Sequence, residues 1–248
     1  MLLYFCSLFG LIAGLLIGAA GIGGVILVPL LVYFADIDIH TSIAASVAAF
    51  FVSGLVGTVT YSKRGVIRWL DFVAISAGAI PSALLGAYVL PKIESYFLTL
   101  FIALVLMVSA VKQLTGTKSN NPSRPTQNIP KYQLALVGLV TGFLSVLSGT
   151  GGPLVLLPLL NLLSMSLITA IGLSQVIQLP IALFASIGNA VNSLIDWELV
   201  MVLSFGLAFG SFIGAKGSER LPIAHIKMLV SILLFLSGAY MVVTLLFG

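Results

Sequence analysis

The chain has 248 residues, 60% of them hydrophobic and only 7% charged, with 25 glycines and a mean hydropathy of +1.21. Soluble domains carry roughly 25% charged residues, and so few charges cannot cover a water-facing surface, which excludes a soluble globular or a disordered chain. The formal charge of +4 is spread over short loops, as on the cytoplasmic side of a membrane protein, and forms no clustered basic face for nucleic acid.

Residues 1–18 are apolar, with no Lys or Arg ahead of them and no convincing cleavage pattern. They read as retained structure rather than a signal peptide. Apolar runs follow at residues 42–61, 69–90 and 95–111, and later at 132–147, 166–191, 197–215 and 228–247. Runs of this length suit a hydrocarbon core of roughly 30 Å. Between the two sets lies a polar stretch, residues 112–131, that contains Pro122, Pro125 and Pro130. This divides the chain into a first membrane repeat (1–111), a cytoplasmic linker (112–131) and a second membrane repeat (132–248). Cys6 is the one cysteine, which excludes an intramolecular disulfide or a cysteine-built metal site. No metal and no cofactor is expected.

The halves align at a constant offset of 128 residues, the mark of an internal duplication. It pairs Gly10 with Gly138, Gly14 with Gly142, Gly21 with Gly149, Gly23 with Gly151, and Gly24 with Gly152. It also pairs Ser46 with Ser174, Trp69 with Trp197, Gly78 with Gly206, and Gly86 with Gly214. Charge then orients the halves. If they run parallel, seven of the eleven Lys and Arg fall on one side; if the second is inverted, ten do, and Lys92 alone is left outside. The rule that basic loops stay in the cytoplasm favours inversion. Inversion requires an odd number of crossings per half, so the glycine-rich segment beside the three clear spans makes no net crossing. The expected fold is all-α and membrane-embedded. It has two inverted repeats, each a re-entrant or broken helix hairpin plus three transmembrane helices, with both termini extracytoplasmic.

The two glycine segments carry the chemistry. They read Gly21-Ile22-Gly23-Gly24, followed by Pro29, and Gly149-Thr150-Gly151-Gly152-Pro153, followed by Pro158. Glycine permits turns and close backbone approach, and proline is favoured at a first helical position. Each segment therefore suits an unwound turn opening a helix, whose unpaired N–H groups and positive dipole end attract an anion. Two such starts meeting near the midplane form an anion cage without a charged side chain. Close helix packing is the simpler account of Gly10, Gly14, Gly78, Gly86, Gly138 and Gly142.

These same paired segments, each opening one half of a duplicated membrane chain, resemble the TauE/SafE family of sulfite exporters and sulfonate permeases. The resemblance covers nearly the whole chain. It implies a secondary transporter of sulfite, an organosulfonate or a related sulfur-containing anion. Val25 and Pro153 stand where relatives carry another glycine.

Around the cage, Ser148 and Thr150 offer hydroxyls, and Gln175 and Gln178 share one helical face in mid-span, where amides need a partner or a cavity. Ser46 is a further candidate. Pro29, Pro153 and Pro158 are the expected helix-break positions. His40 and His225 fall in expected loops and read as surface histidines. No acid lies deep within a span, and a serine nucleophile has no base within reach, so an enzyme is not expected. The partners are a small anionic substrate and the bilayer. A coupling ion (proton or sodium) and self-association are left open, as are a passive anion channel and another small sulfur-containing solute.

Overall fold

The computed structural model describes residues 2–20, 23–115, 129–217 and 223–247, and every regular element among them is helical. Gly21 and most of the expected linker lie outside the described residues. The first half comprises α1 (Leu2–Ala20), a 3-10 turn (Gly24–Ile26) that runs into α2 (Leu27–Phe34), then α3 (Ile39–Lys63), α4 (Trp69–Val89) and α5 (Ser95–Thr115). The second comprises α6 (Lys131–Ser148), α7 (Pro153–Leu162), α8 (Leu167–Val176), α9 (Gln178–Val191), α10 (Trp197–Gly217) and α11 (Ile223–Phe247). Among the described residues, six helical stretches are long and apolar enough to cross a membrane; α8 and α9 together make one of them.

Local chemistry sets the boundaries. The Asp38 carboxylate accepts from the N–H groups of His40 (2.9 Å) and Thr41 (3.2 Å) and so caps α3. That cap starts the helix at Ile39, three residues before the apolar run, and it moves His40 out of the expected loop into the first helical turn. There His40 Nε2 lies 2.9 Å from the Ile93 carbonyl oxygen. His225 likewise falls within α11 and not in a loop, because that helix begins ahead of its apolar run. The run at 166–191, expected as a single helix, is interrupted at Ile177. Pro180 has no N–H for the Val176 carbonyl, so one bond of the ladder is missing, while Ile177 keeps helical dihedrals and its own bond to Leu173 O. Ser166 caps α8 and Asp196 accepts from Leu199 N–H (3.1 Å) at the start of α10.

Small residues bring the halves together. A Cβ at Gly10 would lie 2.7 Å from the Leu203 carbonyl oxygen, and one at Gly14 equally close to that of Leu207, so α1 and α10 touch backbone to backbone. In the same way Gly138 abuts the Ile75 carbonyl and Gly142 that of Ala79, joining α6 to α4. The 128-residue offset carries each pair into the other: Gly10 into Gly138, Ile75 into Leu203, Ala79 into Leu207. At one end of the α4–α6 pair the buried Asp71 carboxylate is held by Arg68 (3.0 Å) and by the Lys131 ammonium.

Helices α3, α8 and α9 fill the middle of the molecule. Of the span windows, 56% of α3 and of α4 and 61% of α8–α9 is buried, against 28% of α5. Outward faces expose large apolar side chains, among them Leu70, Val73 and Leu85 on α4 and Phe205, Phe209 and Phe212 on α10, with Trp69 and Trp197 exposed at helix starts. An exterior this apolar is solvated by lipid, and tryptophans at span ends suit the membrane interface.

Candidate functional site at the two glycine turns

The second glycine segment breaks the chain between α6 and α7. Gly149 ends α6 at φ +64, and Gly151 (φ +70) and Gly152 (φ +119) continue in conformations that L side chains rarely adopt. Pro153 opens α7 as its first residue, Gly152 standing at the N-cap. Among the described residues, the N–H groups of Gly151, Gly152 and Leu154 donate to no backbone carbonyl, whereas those of Val155 and Leu156 turn back to Gly152 O. In the first half, Gly23 precedes the 3-10 turn and sits against Leu16 and Ile17 of α1. Helices α2 and α7 are short, at 8 and 10 residues. That is about 12–15 Å, or half a hydrocarbon core. Pro29 stands in the first turn of α2 and Pro158 inside α7.

Both turns face one small cavity. Gly23, Gly24, Val25 and Ile17 line one wall, Thr150, Pro153 and Leu154 another, and Gln178 supplies the one amide. The space is about 10 Å³, room for about one water and too small for an oxyanion. Phe50 packs against both turns without lining the cavity itself. Its ring is fully buried and wedged between the turns: a Cβ at Gly24 would lie 2.5 Å from Phe50 Cζ, and one at Gly151 2.5 Å from Cδ2.

A chain of hydrogen bonds leads away from the cavity. Ser53 Oγ donates to Gln178 Oε1 (2.8 Å) and is also within 3.2 Å of the Phe50 carbonyl, and Gln178 Nε2 donates to Gln175 Oε1 (2.9 Å). Gln175 Nε2 is buried without a partner. The two glutamines fit because α3 offers glycines there: a Cβ at Gly57 would meet Gln175 Oε1 at 2.5 Å, and one at Gly54 would meet Gln178 Cβ at 2.9 Å.

Of the residues singled out in sequence, Gly23, Gly24, Thr150, Pro153 and Gln178 line the cavity, while Gly151 and Gly152 form the turn beside it. Gln175 lies one hydrogen bond away. Ser148 is buried behind Thr150, donating to the Leu144 carbonyl (2.7 Å), with the Thr150 hydroxyl 3.1 Å from its oxygen. Both hydroxyl protons are thus engaged within the protein, and Thr150 would reach an anion only by rotating. Ser46 is buried with no partner for its hydroxyl among the described residues, one turn before Phe50 on the same face of α3, and does not line the cavity. Phe50, Ser53 and Pro180 escaped the sequence reading. The 128-residue offset pairs Phe50 with Gln178, which was the available signal for the first of them.

A model of the family described as sulfite exporter TauE/SafE matches residues 6–241. The chain is 27% identical over 248 residues to the probable membrane transporter protein YdhB of Bacillus subtilis (strain 168), covering 97% of each chain. It is 23% identical over 262 residues to the probable membrane transporter protein MJ0441 of Methanocaldococcus jannaschii, covering 97% of this chain and 96% of that one. A third relative, the probable membrane transporter protein y4hK of Sinorhizobium fredii, is 26% identical over 231 residues, with 90% of each covered. No solved structure is a significant match. The apolar helical fold and a family match over nearly its whole length place the chain in the sulfite exporter TauE/SafE family of multi-pass membrane transporters.

Proposed function

We propose that the chain is a secondary transporter of a small oxyanion, sulfite or an organosulfonate, bound between its two glycine-rich helix starts. The observation that carries this reading is the convergence of Gly23–Val25 and Thr150–Leu154 on one cavity, with N–H groups at the start of α7 that donate to no backbone carbonyl among the described residues. Such groups solvate an anion without a charged side chain. The family description, sulfite exporter, supports the substrate class. Phe50 is the twelfth of the 25 residues of α3, so the cavity stands near mid-span, where transporters built from repeats hold their substrates. An oxyanion is larger than this cavity, so its entry requires the two turns, and the Phe50 ring packed on both of them, to move apart.

The reciprocal glycine contacts between α1–α10 and α4–α6 support a duplicated chain, residues 1–111 and 132–248. The basic loops support its inversion, with the linker 112–131 cytoplasmic and both termini outside.

Binding is tested by thermal unfolding of the detergent-purified protein with sulfite, thiosulfate, sulfoacetate, taurine, sulfate, chloride or sodium. A ligand at 100 times its Kd stabilises by about 2.7 kcal/mol, which moves the midpoint visibly. A sulfur oxyanion shifts the wild type selectively, and Gly152→Val abolishes the shift. A folded protein that no anion stabilises would remove the reading's support.

A further inference from the structure

A second cavity lies apart from the glycine turns. It is an open groove of about 510 Å³ between α3 and α10, lined by Leu55, Val56, Val59, Thr60, Lys63, Arg64, Phe212 and Lys216. Its polarity is graded. The cations Lys63, Arg64 and Lys216 stand at one end, and the walls beyond them are almost wholly aliphatic or aromatic. Aromatic rings carry two of these cations: Arg64 Cζ lies 5.3 Å from the Tyr61 ring centre and Lys216 Nζ 4.3 Å from that of Phe212. Leu55, Val59 and Phe212 are among the exposed large apolar side chains.

The dimensions fit one class of molecule. From Lys63 back to Leu55 is eight residues of α3, about 12 Å along the helix. One leaflet of a bilayer is about 15 Å of hydrocarbon. The groove therefore runs from the headgroup level through most of one leaflet, with positive charge only at its outer end. We infer that it is a binding site for an anionic phospholipid, whose phosphate meets Lys63, Arg64 and Lys216 while an acyl chain lies along Leu55, Val59 and Phe212. Basic pockets between transmembrane helices recognise acidic headgroups in this manner. A soluble anion gains nothing from the apolar walls. A second copy of the chain docked here about a two-fold axis would set the three cations against their own counterparts, which disfavours that occupant.

The inference is independent of what the protein transports. It is tested on the full chain in a neutral detergent, by thermal unfolding and by native mass spectrometry with added phosphatidylglycerol, phosphatidylcholine or glycerol phosphate. Phosphatidylglycerol raises the unfolding midpoint by several degrees and stays bound through gas-phase transfer, whereas phosphatidylcholine and glycerol phosphate do neither. The double variant Lys63→Gln/Lys216→Gln loses the effect, and Lys92→Gln, at a distant exposed lysine, keeps it. Val59→Trp fills the groove, leaves the cations in place, and also loses the effect. An equal response to phosphatidylcholine, an equal response to glycerol phosphate, or an undiminished response in either groove variant overturns the proposal. A phosphatidylglycerol-independent dimer that the Val59→Trp variant abolishes would assign the groove to a second copy.

Discussion

A methyl group added at Gly151 would lie 2.5 Å from the Phe50 ring and would hold an L side chain at φ +70. Gly65 has nearly the same backbone, φ +66, but nothing within 4 Å of its Cβ position. The two separate strain from contact. Gly65→Ala costs the conformational penalty alone, about 1–2 kcal/mol. Gly151→Ala costs that plus about 1–3 kcal/mol for displacing a buried ring, and denaturant or thermal unfolding of the two variants in one detergent reads the difference. Equal losses would mean that Phe50 does not rest on the second turn. At Gln178, replacement by Leu leaves Ser53 its bond to the Phe50 carbonyl but strips Gln175 Oε1 of its donor. An unsatisfied buried acceptor costs about 1–3 kcal/mol. The folded variant keeps a cooperative unfolding transition and loses any sulfite-dependent rise in its midpoint; a retained rise would exclude the amide from the site.

Among the helices, the interruption between α8 and α9 places a missing backbone bond beside the buried glutamines. Pro180 interrupts the ladder where Gln175 and Gln178 sit, opposite Phe50 and Ser53 of the continuous α3. Pro180→Ala restores an N–H for the Val176 carbonyl, so we expect an unchanged or higher unfolding midpoint together with slower transport. Faster or unaltered transport would show that the break has no part in the cycle. Much of the element pattern was legible in advance, because apolar runs and polar gaps report a lipid-solvated exterior directly. The caps were less so: Asp38 extends α3 beyond its apolar run, and a hydropathy profile does not see a capping carboxylate. Pro180 was overlooked because an unbroken apolar run suggests an unbroken helix. Phe50 was invisible for a different reason. In a chain so rich in apolar residues nothing distinguishes a ring packed between two glycine turns from one that faces lipid, and only the spatial approach of Gly24 and Gly151 reveals it. Thr150 and Gln178 were readable because polar groups are rare in mid-span, and Ser53 was passed over because a serine can bond its own helix.

For the molecule as a whole, the α1–α10 and α4–α6 contacts exchange under the 128-residue offset, and an inverted duplication makes a definite demand. Lys63 and Val191 stand 128 residues apart and are both exposed, and the proposed duplication makes them equivalent. With Cys6 replaced by Ser, Lys63→Cys labels from the cytoplasmic side and Val191→Cys from the opposite side with a membrane-impermeant maleimide. Labelling from the same side would refute inversion while leaving the helical packing untouched. The central claim, that an oxyanion moves through the space between the glycine turns, is met most directly by counterflow. Protein is reconstituted in liposomes loaded with unlabelled sulfite and diluted into a trace of radiolabelled sulfite. The account predicts transient accumulation of label that saturates with sulfite, is weak with chloride as the internal anion, and disappears in Gly152→Val. Uptake that never overshoots, or that persists undiminished in that variant, would contradict it.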